Sequence, residues 1–188
     1  MHGYSYIPHP LYNLFQSPQI EPYRSKEFVY FGHINRYKGL VELLTVWPAG
    51  IKIEIHGKCS DPKLLAEIID IISSRKLQVT TDFSFISEEQ LKELLIQTKY
   101  IVLPHAADSM IVSGAFYHSI SYGANILIKK SKFGNEVASR HNFCTTFDYD
   151  NLASVLTEQK YIPANNVLNE AINNYGFDVF KRSWLTLL

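Results

Sequence analysis

The sequence has few of the features that usually mark a chemical function. Cysteine is scarce: only Cys59 and Cys144 occur, and neither lies in a CxxC pair. That excludes a disulfide scaffold and a thiolate zinc site, and isolated thiols suit a reducing compartment. Neither sign of charge is in excess, with 18 Lys and Arg against 18 Asp and Glu and a pI near 7.1. A general electrostatic nucleic-acid binder is therefore excluded. No apolar run approaches the ~18 residues of a membrane span, and the start lacks a charged segment followed by an apolar one. A cytoplasmic chain is expected, with peripheral contact at the inner face of a membrane left open. Catalytic signatures are missing too: there is no GK[ST] P-loop, no GxGxxG and no GxSxG elbow. His105 and His118 stand without a third ligand at zinc spacing, so no metal site is expected. Asp108 is alone in its loop, and Glu88 and Glu89 are explained by helix capping. No catalytic residue can be named.

What the chain does contain is a periodic α/β pattern. At 188 residues, 46% hydrophobic and 19% charged, it suits one domain with a real core. Residues 1–25 hold four prolines (Pro8, Pro10, Pro18, Pro22) and no period, and read as an extended connector. Residues 27–31 (EFVYF) are a strand by residue type. Residues 38–47 carry Leu40, Val41, Leu43, Leu44 and Trp47 at helical spacing. Residues 51–55 are a second strand, ending at His56 as a packed residue. Asp61-Pro62 caps a helix to about Arg75, with Leu64, Leu65, Ile68, Ile69, Ile71 and Ile72 read as inward. Residues 77–83 are a weaker strand. Ser87-Glu88-Glu89-Gln90 is a capping box opening a helix through Leu91, Leu94 and Leu95. Further on, residues 143–147 are an edge strand and Asp150 is read as the cap of a helix through Leu152, Val155 and Leu156. Helical pieces at about 165–174 and 178–188 end the chain, the last with Phe180, Trp184 and Leu187 on one face.

The stretch that organises the rest is residues 100–129, YIVLPHAADSMIVSGAFYHSISYGANILIK. It reads as a buried strand ended by Pro104, a loop over 106–112, a short helix over 115–122 capped by Ser113 and closed by Gly123, then a second buried strand over 125–128. Strands alternating with helical segments imply right-handed βαβ units and a doubly wound parallel sheet, an α/β, Rossmann-like fold. Domain limits are expected at 1–25 for the connector, 26–160 for the sheet domain and 161–188 for the C-terminal helices.

Ligands of such sheets bind beyond the carboxyl ends of the strands. Three loops would meet there: residues 32–39, 57–61 and 105–114. The first contains His33, Arg36 and Lys38. Cationic side chains facing a helix N-terminus at Ser113-Gly114 suit a diphosphate, because charge-assisted hydrogen bonds add to the helix dipole. The plain alternative for Arg36 and Lys38 is a solvated turn, and for Ser113 an ordinary helix cap.

These residues resemble the nucleotide-binding C-terminal half of GT-B glycosyltransferases, of the glycosyltransferase family 4 type found in polysaccharide assembly. FVYFGHINRYKGLVELL is similar to the family's strand, Gly loop, Lys-Gly and helix opening. DFSFISEEQLKELL, then YIVLPH, VSG and SISYGANILI, look like later segments in the right order. KFGNEV resembles the late loop that closes on the donor, and IPHPLY the linker after an N-terminal domain. The resemblance implies that Lys38 contacts a donor diphosphate, with Gly32, His33 and Arg36 in the same loop. Here His33 stands where the family often has Arg. Ser113 and Gly114 would give backbone N–H groups to the phosphates, and Ile86, Ser87 and His118 would lie near the base and ribose. The family's Glu-x7-Glu motif falls on Met110 and His118, neither of which is acidic. The implied ligand is a nucleotide-sugar, a UDP-sugar on family grounds, as substrate with no cofactor. The acceptor, a glycan or lipid-linked sugar, would sit on a missing N-terminal domain, and no nucleic acid is expected as a partner. The chain alone would then be inactive. Two other readings share the scaffold: a sugar-nucleotide epimerase, and a non-catalytic module docking through the aromatic helix around Trp184.

Overall fold

The structure is a computed structural model that describes residues 10–11, 21, 23–105 and 113–185. Six strands are present among them: β1 (Lys26–Phe31), β2 (Ile53–His56), β3 (Val79–Asp82), β4 (Thr98–Leu103), β5 (Asn125–Lys129) and β6 (Cys144–Phe147). They form one all-parallel sheet in the order β3-β2-β1-β4-β5-β6. The order reverses between β1 and β4, which pair from Lys26↔Thr98 to Val29↔Ile101. The helices are α1 (Leu40–Val46), α2 (Pro62–Ser74), α3 (Glu88–Ile96), α4 (Gly114–Ile120), α5 (Lys132–Arg140), α6 (Leu152–Glu158), α7 (Ala164–Tyr175) and α8 (Phe177–Leu185).

The period-2 alternation of the strands divides the core into two layers. Val29, Phe31, Ile101, Leu103, Ile126 and Ile128 pack against α3, α4, α5 and α7. Phe28, Tyr30, Tyr100, Val102 and Leu127 face the other way, against α1, α2 and α6. The central strands are apolar on both faces because helices cover both, the pattern of a doubly wound α/β sheet. Phe28 anchors the second layer, edge-on to Trp47 at 5.7 Å and stacked on Tyr100 at 5.5 Å.

Local caps behave as the residues dictate. Asp61 accepts from the Lys63 and Leu64 amides, Ser87 and Gln90 close the capping box, and Ser113 accepts from the Phe116 amide at 3.3 Å. Other expectations are corrected. Residues 36–38 form a separate 3-10 turn, and α1 begins only at Leu40 because Gly39 interposes a left-handed residue at φ 72°. On α2 only Leu64 and Ile68 are buried, and Ile69 is 51% exposed. Ile71 and Ile72 are partly buried against the same core, so the inward stripe runs Leu64, Ile68, Ile71 and Ile72 and leaves Ile69 outside. Asp150 does not cap α6. The cap position is Asn151, whose carboxamide instead accepts from the Asp148 amide at 2.7 Å. KFGNEV is the opening of α5 rather than a loop, capped by Ser131 onto Gly134. Met110, Leu187 and the loop expected over 106–112 lie outside the described residues.

Buried polar side chains secure the amino ends of the strands. Arg24 donates from Nη1 to the carbonyls of Leu95 (3.0 Å) and Thr98, and from Nη2 to Tyr122 O (2.6 Å). Glu21 accepts from the Ala164 and Asn165 amides and so caps α7 from far along the chain. Asn125 makes a two-way amide pair with the Ile162 backbone. His141, 2% exposed, is held by Glu170 at 2.7 Å and by the Tyr175 hydroxyl.

Candidate functional site

The carboxyl ends of β1, β2 and β4 carry the loops expected to meet, and two glycines explain how closely they do. Gly57 has φ 143°, and a Cβ there would lie 2.0 Å from Gly32 O. Gly39 sits in the left-handed region, where a Cβ would come within 2.5 Å of Pro104 O. Only residues without a side chain allow these approaches. Backbone bonds then tie the first two loops through Gly32 N to His56 O and Ile34 N to Lys58 O, and Gly57 N to Asp82 O ties the second loop to the end of β3. The third is fixed because Pro104 O also lies 3.4 Å from the Tyr149 hydroxyl.

Lys38 leaves this floor and folds back over Gly32, its Nζ lying 3.6 Å from where a Gly32 Cβ would be. Burial alone pulls its pKa below the ordinary lysine value. Among the described residues it has no ion-pair partner. The ammonium is therefore held in partial desolvation with no counter-charge, at the point where the strand order reverses.

Arg36 is placed differently. It is exposed and forks onto Glu67 of α2, with Nη1 to Oε1 at 2.8 Å and Nη2 to Oε2. His33, also exposed, joins Gly32, Gly57, Phe85, Ile86 and Leu91 around a cavity of about 200 Å³. Ser87, next to Ile86, does not line it, and its amide is taken by the Gln90 side chain at 2.9 Å. Ser113 is buried at the start of α4, and Gly114 beside it is exposed. His118 is half-buried, stacked on Tyr122 at 6.3 Å. Burial lowers its pKa, and Glu88 of α3 partly offsets the shift.

Two residues at this end were given no binding role in the sequence reading. Phe85, 75% exposed, presents an aromatic ring to the cavity beside Ile86. A second aromatic in the short stretch between β3 and the capping box was the available signal. His105 is 7% exposed and follows β4 directly through Pro104. Its pKa is depressed to about 4, first by burial and then by Lys38. Nothing local in the sequence foretells that burial, which depends on the contact between Gly39 and Pro104. Among the described residues no three His, Cys, Asp or Glu side chains gather as a metal site would require.

Solved structures similar to this chain include glycosyltransferases. AviGT4, a glycosyltransferase involved in avilamycin A biosynthesis, superposes with a TM-score of 0.65 at 12% identity, over 89% of this chain and 51% of that one. HepE from Anabaena, in complex with UDP, gives 0.67 at 16% identity over 86% and 48%. The C-terminal domain of LpcC, a glycosyl transferase group 1 family protein from Francisella tularensis, gives 0.61 at 14% identity over 91% and 97%. The chain thus spans about half the length of AviGT4 and HepE and nearly all of the LpcC domain. No family model matches the chain, and no curated protein matches it in sequence. The fold is the α/β, Rossmann-like fold of one half of a GT-B glycosyltransferase.

Proposed function

We propose that this chain is the donor-binding half of a glycosyltransferase, of the family 4 type, that moves a sugar from a nucleoside diphosphate to a glycan or lipid-linked acceptor. The observation that carries this reading is Lys38. Its desolvated ammonium lies over Gly32 at the switch point of the sheet, where an anion would relieve it. The neighbouring cavity, bounded by Gly32, His33, Ile86 and the Phe85 ring, suits a base and ribose. Ser113 and Gly114, opening α4 beyond β4, are assigned to the far phosphate, and His118 to the ribose side. Arg36 would contribute only by exchanging Glu67 for the ligand. HepE binds UDP, and uridine is accordingly the first base to try. The acceptor site belongs to a second domain, toward which the exposed Phe177, Trp184 and Leu185 of α8 are available. No membrane-crossing helix is present among the described residues, and peripheral contact with a membrane would go through a surface patch.

Calorimetric titration with UDP, GDP and ADP tests the reading. One diphosphate should bind best, and Lys38→Ala should weaken it roughly tenfold or more, since a charge-assisted hydrogen bond contributes about 1.5–3 kcal/mol. Equal affinity in the variant would remove Lys38 from the site. Binding to none of the three would favour the interaction module instead.

A further inference from the structure

His105 is the buried polar group at this end of the sheet that the assignments above leave without a task. Its ring is 93% removed from solvent, counting from its 7% exposure, yet Nδ1 takes no hydrogen bond among the described residues. Buried imidazole nitrogens are ordinarily paired, and one that is not calls for an explanation. The residue sits one position beyond Pro104, whose carbonyl is pinned between Gly39 and Tyr149. Its position is therefore fixed by packing.

The groups around it define what would complete the pair. From the turn before α1 come the Tyr37 ring, at 6.1 Å, and the Lys38 ammonium. Beyond β6 comes Tyr149, with Lys129 lying 4.6 Å from that ring. Asp148 beside it is already paired with Lys129 at 2.9 Å and Lys130 at 3.2 Å. The Lys38 charge is felt at His105, and among the described residues no carboxylate acts there to offset it. Among the described residues neither the Lys38 ammonium nor His105 Nδ1 has a partner, and with Nδ1 carrying the proton the pair suits an anion with more than one oxygen.

We infer that His105 is a second diphosphate-binding residue of this site, donating from Nδ1 to a phosphate oxygen beside Lys38. This rests on the donor-site reading above. Water or a neutral sugar hydroxyl could satisfy Nδ1 alone, but neither would compensate Lys38. A diphosphate does both, and its charge raises the imidazole pKa, so the ring takes up a proton as the anion enters. Affinity for a diphosphate diester should then rise as the pH falls. Such a diester lacks the second ionisation near about pH 6 that a terminal phosphate carries, so the ligand itself stays constant over that range.

The test uses the whole chain labelled with ¹⁵N-histidine and titrated with UDP-glucose, inorganic pyrophosphate and uridine. Both phosphate ligands should move the His105 ring signals and raise its pKa by about one unit or more, while uridine leaves them in place. His105→Gln should weaken UDP-glucose binding roughly tenfold at about pH 5 and less at about pH 7. If UDP-glucose binds, Lys38→Ala weakens it, and neither the His105 signals nor the affinity of His105→Gln changes, this inference is wrong and the donor site stands. If neither phosphate ligand binds the native chain, both fall together. Should His105→Gln fail to fold, the native spectra decide alone.

Discussion

The two ends of the sheet use the same kinds of residue in opposite ways. At the amino end, buried Arg24 places both terminal nitrogens on carbonyls and leaves only Nε unpaired. His141 has a partner on each ring nitrogen. At the carboxyl end, among the described residues, Lys38 has burial without a counter-charge and His105 has a buried Nδ1 without a partner. A buried cation or imidazole is tolerable when the fold itself completes its bonds. Where the fold does not, the site has been left for something else to complete. The amino end is a joint between elements, and on the donor-site reading proposed above the carboxyl end is a receptor.

The comparison predicts that substitutions at the two ends change stability in opposite directions. The largest effect belongs to Arg24. Arg24→Met removes the guanidinium and leaves the Leu95, Thr98 and Tyr122 carbonyls short of a donor in the interior. A loss of about 3–5 kcal/mol is expected, read as a fall in the urea midpoint at constant slope. Arg24→Lys should recover part of it, since an ammonium reaches one or two of the carbonyls but cannot fork across all three. A loss below about 1 kcal/mol for Arg24→Met would mean that the joint is not held this way.

The same contrast explains what was legible in the sequence. The parallel sheet follows from short-range patterns: strands apolar on both faces, helical spacing between them, and the caps Asp61, Ser87 and Ser113. All of these are decided within a few residues. The Arg24 network joins positions 71, 74 and 98 residues away, and Glu21 caps a helix 143 residues further on. No local period carries that information, and the region around residue 24 read only as a connector. Within the site, Gly32 and Lys38 were legible because a glycine after a strand and a lysine before a helix are local features. His105 was not, because its environment is made by Gly39 and Tyr149, on two other loops. Arg36 was legible as a cation, but its partner Glu67 lies on α2, and only the folded chain shows the charge already matched.

His105 gives the next effect, in the absence of ligand. Its folded pKa, about 4, lies below the unfolded value of 6.5. Between these values the unfolded chain binds the extra proton and the folded chain does not. The contribution of His105 is thus fully present above the unfolded pKa and is lost as the pH falls toward about 4, by roughly 2–3 kcal/mol in all. The His105→Gln variant should lack this part of the acid sensitivity. Equal slopes of stability against pH in the two proteins would show that the ring is not held neutral by the fold.

The smallest effect is the sharpest discriminator, because its sign is unusual. Lys38→Met keeps the length and apolar stem of the side chain and removes the ammonium. Over Gly32 that ammonium is desolvated without a partner, so its removal relieves a cost and should raise stability by about 0.5–1 kcal/mol, while diphosphate binding is lost. A site built for a ligand is improved as a fold when its ligand-binding charge is taken away, whereas a structural joint is only damaged. Thermal unfolding of Lys38→Met beside the native chain, both without ligand, reads the sign directly. A lower midpoint for the variant would mean that Lys38 serves the fold, and the division between the two ends of the sheet would have to be redrawn.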